Sequence, residues 1–156
     1  MIIRRAAKPD IPALHRLLRQ VLDVHHQGRP DLFRGGVTKY TNEQLEDLLC
    51  DDGRPVFVAL DEAGVVQGYA FCVFEQHVSD NILTDIQTLY IDDLCVDAAY
   101  RGQHIGKALY EHVRSFAKAS GCYNVTLNVW VCNESARKFY EACGLRPQKI
   151  GMETIL

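Results

Sequence analysis

No apolar run in these 156 residues approaches membrane-span length, so the sequence encodes no helix that crosses a bilayer. The opening MIIRRAAKPD lacks the apolar core of a secretory signal, and no leader is expected from it. There is no low-complexity tract, no internal repeat and no linker-like stretch. Basic residues are not in excess, since 17 Lys and Arg face 20 Asp and Glu for a formal net charge of −3. That balance removes any overall pull toward nucleic acid or an acidic membrane, so an anion site has to be local. Six cysteines, Cys50, Cys72, Cys95, Cys122, Cys132 and Cys143, never form a C-x-x-C pair, and the only close histidines are His25 and His26. Zinc sites need ligand pairs at fixed short spacing, so no metal centre is expected. Reduced, mostly buried thiols in a cytoplasmic protein are the reading that fits. What remains is 47% apolar and 24% charged residues, the composition of a globular chain able to bury a core without staples. One domain over 1–156 is expected.

Taken in order, Ile2 and Ile3 open a short strand that stops at Lys8-Pro9. Asp10 suits a helix N-cap with Pro12 in the first turn, and Ile11, Leu14, Leu17, Leu18, Val21 and Leu22 recur at helical spacing to about His25. The stretch HHQGRPDLFRGG has loop chemistry. Thr41 and Gln44 form a capping box for a second helix carrying Leu45, Leu48 and Leu49. From Pro55 the period changes: PVFVAL and VVQGYAFCVF flank Asp61-Glu62-Ala63-Gly64 and predict a hairpin. His77 to Thr84 reads as a loop, and a further strand begins near Ile86.

That strand is irregular. Leu89 and Ile91 are apolar on odd positions, whereas Leu94 and Val96 are apolar on even ones. Side chains alternate faces with a period of two, so the slip implies one extra residue, a β-bulge, close to Asp92-Asp93. A strand buried on both faces is the alternative. The turn that follows, Arg101-Gly102-Gln103-His104-Ile105-Gly106-Lys107, leads into a helix with Ile105, Ala108, Leu109, His112, Val113 and Phe116 on one face. Unpaired N–H groups at a helix N-terminus sit at the positive end of its dipole, so such a loop suits a phosphate; a plain connection is the competing reading. NVTLNVWV then alternates as a half-exposed strand to Val131. Asn133 caps a last helix containing Phe139 and Tyr140 and closed by Gly144, and Leu145 to Leu156 supplies one or two final strands.

These residues resemble the GCN5-related N-acetyltransferases. The family's loop is written Gln or Arg, two residues, Gly, one residue, then Gly or Ala; RGQHIG matches at Arg101 and Gly106 and departs at His104, where glycine is usual. YIDDLCV resembles the family's bulged fourth strand and NESARKFYEACGL its last helix, so the likeness covers nearly the whole chain. It implies an α/β fold with a mixed, mostly antiparallel sheet, a bulged and splayed central strand pair, and flanking helices. It implies acetyl-CoA as cosubstrate, with the pyrophosphate on Arg101 to Lys107 and the pantetheine arm along Leu94, Cys95 and Val96 and near Asn133. By the same resemblance Tyr140 is the general acid and Asp92 the base, with Asp93 and Glu75 as alternatives. The chemistry requires a base: an amine of pKa near 10.4 lies about 3.4 units from neutral at pH 7, roughly 4.6 kcal/mol if only the free base attacks. A small-molecule primary amine is the expected acceptor, with a protein or peptide amine, or binding without catalysis, as alternatives. The acceptor walls are expected from His25 to Tyr40 and from His77 to Thr84, and a homodimer is left open.

Overall fold

The computed structural model describes residues 1–156. Strands β1 (Ile2–Arg5), β2 (Val56–Leu60), β3 (Val66–Gln76), β4 (Gln87–Val96) and β5 (Asn124–Leu127) form one sheet in the order β1-β2-β3-β4-β5. The first four pair antiparallel, and β4 pairs with β5 in parallel. Four helices flank it: α1 (Ile11–Gly28), α2 (Asn42–Leu49), α3 (Ile105–Ala119) and α4 (Glu134–Ala142). The parallel step follows from α3, because two parallel strands need a crossover long enough to return the chain to the same edge.

Local chemistry explains most boundaries. The β2–β3 hairpin turns where Asp61 accepts from the backbone N–H groups of Ala63 and Val65, both at 2.9 Å. Thr41 and Gln44 form the expected box, Gln44 N–H to Thr41 Oγ1 at 3.2 Å and Thr41 N–H to Gln44 Oε1 at 2.9 Å. Asn133 Oδ1 accepts from Ala136 N–H at 3.2 Å and starts α4. Helix α1 runs to Gly28, beyond the expected end near His25.

The sheet separates two cores. On one face Leu14 and Leu17 of α1 and Leu45 of α2 pack against Val58, Tyr69, Phe71 and Cys95. On the other, Leu109 and Val113 of α3 pack against Phe57, Ala70, Leu89 and Ile91, with Leu94 and Val96 beside them. Leu89 and Leu94 thus share a face despite their opposite parity, which is the expected bulge. The register identifies the extra residue: Phe71 faces Asp93 and Cys72 faces Ile91, leaving Asp92 without a partner on β3.

Two expectations fail at the end of the chain. β5 stops at Leu127 instead of continuing to Val131, which is 92% exposed. Residues 145–156 form no strand. The cause lies outside these segments. The bulge bends β4 away beyond Ile91, so β5 loses its partner after Leu127 and offers only four residues of edge to anything that follows.

Close approach fixes one glycine of the sheet. A Cβ on Gly68 would lie 2.7 Å from the Cys95 carbonyl oxygen and 3.0 Å from Leu109 Cδ1. Gly68→Ala is expected to push β3 from β4 and to destabilise the protein by about 1–3 kcal/mol, read as a lower urea midpoint.

Candidate active site

Strands β4 and β5 pair over Thr88–Ile91 and Asn124–Leu127 and then separate. Beyond that point Leu94, Cys95 and Val96 have β3 on one side and no strand on the other, so one lateral edge of β4 is open. The segment that follows places α3 at the end of this opening. His104 holds the N-cap in the left-handed region, φ 61° and ψ 10°, and Gly102 has φ 80°. The backbone N–H groups of His104, Ile105, Gly106 and Lys107 donate to no protein acceptor; the first intrahelical bond is Ala108 N–H to His104 O at 3.0 Å. Arg101, Gln103, His104 and Lys107 are exposed around them, while buried Ile105 anchors the turn. Arg101 Nε donates to Val96 O at 3.3 Å.

Gly106 has a second role that its spacing did not reveal. A Cβ there would lie 3.2 Å from Phe139 Cζ, so the glycine admits α4 against the start of α3. Tyr140 follows on α4. Burial first, and then the charge of Asp93, push its phenol upward, and no hydrogen bond offsets this. The hydroxyl therefore keeps its proton. Asn133 spends its side-chain oxygen on the helix cap and retains its amide donor.

The bulge turns two successive carboxylates toward the α1 face. Lys39 Nζ donates to Asp92 Oδ2 at 3.0 Å and lies 3.7 Å from Asp93 Oδ2. Tyr69 Oη donates to Asp93 Oδ2 at 3.1 Å. Asp93 is 10% exposed at its side chain, and burial pushes its pKa up to about 6 although Lys39 and the Tyr69 bond pull it down. Lys39 is held upward, since Asp93 and Asp92 outweigh the opposing effect of its burial. Glu75 stands apart: it faces Thr88, about 13 Å along β4 from Asp92 at 3.3 Å per residue. The thiols of Cys95 and Cys72 are pushed up by burial to about 12, so neither is a thiolate near neutral pH.

The segment between α1 and α2 closes over this face. Phe33 packs between His25 and Trp130, with ring centroids at 4.9 and 5.3 Å, and His26 Nδ1 bonds to Phe33 O at 2.7 Å. The loop His77 to Thr84 joins β3 to β4 at the end of β4 remote from Asp92. It is exposed and meets β4 at Gln87, about 16 Å along the strand from Asp92. Lys39 and Tyr69 were not singled out from sequence: a lysine in a polar loop reads as a solvated charge, and a tyrosine in an apolar strand reads as packing. The hydroxyl of Tyr69, in a run otherwise poor in polar groups, was the one available signal.

The sequence profile described as the Acetyltransferase (GNAT) family matches residues 19–145. The chain belongs to that family. The chain superposes on a variant of the BH1408 protein from Bacillus halodurans with a TM-score of 0.96 and 32% identity, over 100% of this chain and 99% of that one. It is 29% identical over 97 residues to a glucosamine 6-phosphate N-acetyltransferase of Arabidopsis thaliana, which is 54% of this chain and 63% of that enzyme. A thialysine N-epsilon-acetyltransferase of Bos taurus is 25% identical over 154 residues, 92% of this chain and 83% of the relative. The first of these enzymes is thus matched over less than two thirds of its length.

The chain carries two measurable signatures of this geometry. A left-handed conformation costs an L-residue about 1–2 kcal/mol, and glycine escapes most of that. His104→Gly is therefore expected to stabilise by up to about 1 kcal/mol, and the β-branched His104→Val to destabilise by about 1 kcal/mol or more, both read by thermal denaturation. Asp93 releases its proton near 6 in the native state and near 3.8 when unperturbed. The native state then binds the extra proton between about pH 4 and 6, and stability falls as pH rises through that window. The urea midpoint of the wild type, minus that of Asp93→Asn, is expected to drop from pH 4 to pH 7.

Proposed function

We propose that this acetyltransferase moves an acetyl group from acetyl-CoA to the primary amine of a small molecule, by direct attack within a ternary complex. The observation that carries the reading is the carboxylate pair Asp92–Asp93, turned by the bulge to the point where β4 leaves β5 and already holding an ammonium. The residues fit the cosubstrate. Free N–H groups from His104 to Lys107, with the cations of Arg101 and Lys107, match a pyrophosphate, and the open edge at Leu94, Cys95 and Val96 matches a chain of amides. Gly102 and Gln103 shape the turn between them.

Acetyl-CoA supplies the acetyl group as a thioester and departs as a thiol. The chain's own groups manage two protons. Asp92, reached from solvent, binds the acceptor ammonium and takes its proton; Asp93 behind it, with a pKa near 6, is tuned close to neutral pH as a general base should be. Tyr140, held protonated by burial, gives a hydrogen bond or its proton to the departing sulfur. The amide of Asn133 donates to the pantetheine arm. Small-molecule acceptors are favoured by the relatives, whose names specify an amino sugar phosphate and a lysine analogue as acceptors.

Thiol release from acetyl-CoA across a panel of amino sugars, lysine analogues, aminoglycosides and short peptides tests this. A small-molecule amine is expected to be turned over, with Asp92→Asn or Asp93→Asn lowering kcat/KM by about 10²–10⁴ and Tyr140→Phe lowering kcat. Wild-type rates in both aspartate variants would overturn the assignment of the base, and turnover confined to peptides would overturn the acceptor class.

A further inference from the structure

Lys39 belongs to the stretch between α1 and α2 that carries neither helix nor strand, and its side chain is 38% exposed, yet its ammonium is paired rather than free. It reaches Asp92 Oδ2 at 3.0 Å and Asp93 Oδ2 at 3.7 Å, and it stands 5.5 Å from the centroid of the Tyr40 ring, which stacks on Phe71. A carboxylate that takes a proton from an ammonium must first hold that ammonium within hydrogen-bond reach. The oxygens facing the opening already hold one. We propose that Lys39 is a built-in occupant of the acceptor site: its ammonium stands where the acceptor's ammonium binds, and the acceptor enters by displacing it. This rests on the reading of Asp92 and Asp93 as the proton-accepting pair.

The arrangement has a physical purpose at each end of the exchange. Without a cation, two adjacent carboxylates, one of them buried, repel each other and one takes up a proton. Lys39 keeps the pair ionised until a cationic acceptor replaces it, so the site passes from one ammonium to another without an interval of uncompensated charge. An acceptor lacking a cation has no means of displacing Lys39, which makes this lysine a determinant of specificity. It is also a competitor, since the apparent affinity for the acceptor is the intrinsic affinity scaled by the fraction of molecules in which Lys39 has left. Other titratable groups face the pair from several elements: Tyr69 from β3, Tyr90 and Cys95 from β4, and Tyr140 from α4. The phenols and the thiol are held upward and remain neutral, and His25 of α1, which faces Lys39, is pushed downward by burial and by that ammonium, so Lys39 is the cation in contact with the pair.

The test uses the full chain and n-propylammonium chloride as the probe, followed by the ¹³C shifts of the Asp92 and Asp93 carboxyl groups. Lys39→Met is expected to bind the probe about three- to tenfold more tightly than the wild type, as it would if Lys39 occupied the site in most molecules. Lys39→Arg is expected to restore wild-type affinity. The carboxyl titration of Asp93 should move to higher pH in Lys39→Met and return to lower pH when the probe is added, a response that a merely structural lysine would not give. With an amine that the enzyme acetylates, the KM for that amine should fall in the same variant. Equal or weaker binding of the probe by Lys39→Met would overturn the proposal. Asp92→Asn and Asp93→Asn separate the two readings: full turnover in both removes the base itself, whereas loss of turnover in either, with unimproved binding in Lys39→Met, removes only the role of Lys39.

Discussion

Asp92 has no counterpart on β3, and the neighbouring residues register as if it were absent: Phe71 opposes Asp93 and Cys72 opposes Ile91. An unpaired residue in a ladder bends its strand and reverses the facing of everything beyond it. Three features of the site follow from that single insertion. Strand β4 leaves β5 after Ile91 and frees the edge at Leu94, Cys95 and Val96. Leu94 and Val96 turn to the α3 core while Cys95 turns to the α1 core, so both faces of the strand stay packed. Asp92 and Asp93 come to lie on one side, where an uninterrupted strand would have sent them to opposite sides.

Two carboxylates on one side of a sheet are an electrostatic problem that the surrounding residues resolve. Burial drives Asp93 toward its neutral form, and the hydroxyl of Tyr69 and the ammonium of Lys39 oppose that drive. The balance leaves a group that titrates near neutrality, which neither a fully solvated nor a fully paired carboxylate would do. The same burial acts on Tyr140 in the opposite chemical sense, keeping a donor protonated. Burial thus leaves a carboxyl that titrates near neutrality and a phenol that stays protonated, both from ordinary side chains.

What could be read from the sequence was local or periodic. The parity slip between Ile91 and Leu94 revealed the bulge, the Thr41–Gln44 box announced α2, and the departure from the family's glycine fell at His104, the residue that the structure holds left-handed. What escaped depends on contacts distant in sequence. β5 ends where β4 bends, an event decided more than thirty residues earlier in the chain. The residues from Leu145 onward have strand-like composition but no edge of adequate length to join. Gly106 serves Phe139 of a different helix, and Lys39 gains its partners only when a loop folds across the sheet.

The unequal ladders on the two sides of β4 divide the molecule mechanically. β3 and β4 share nine register pairs, whereas β4 and β5 share four, and α4 beyond them has no fully buried residue. Regions with few buried apolar groups and short ladders open at lower free energy than the antiparallel core. Amide hydrogens of β5 and α4 therefore exchange through local opening long before those of β2 and β3. The wall bearing Asn133 and Tyr140 thus rests on the shorter ladder, and the carboxylates on the longer one.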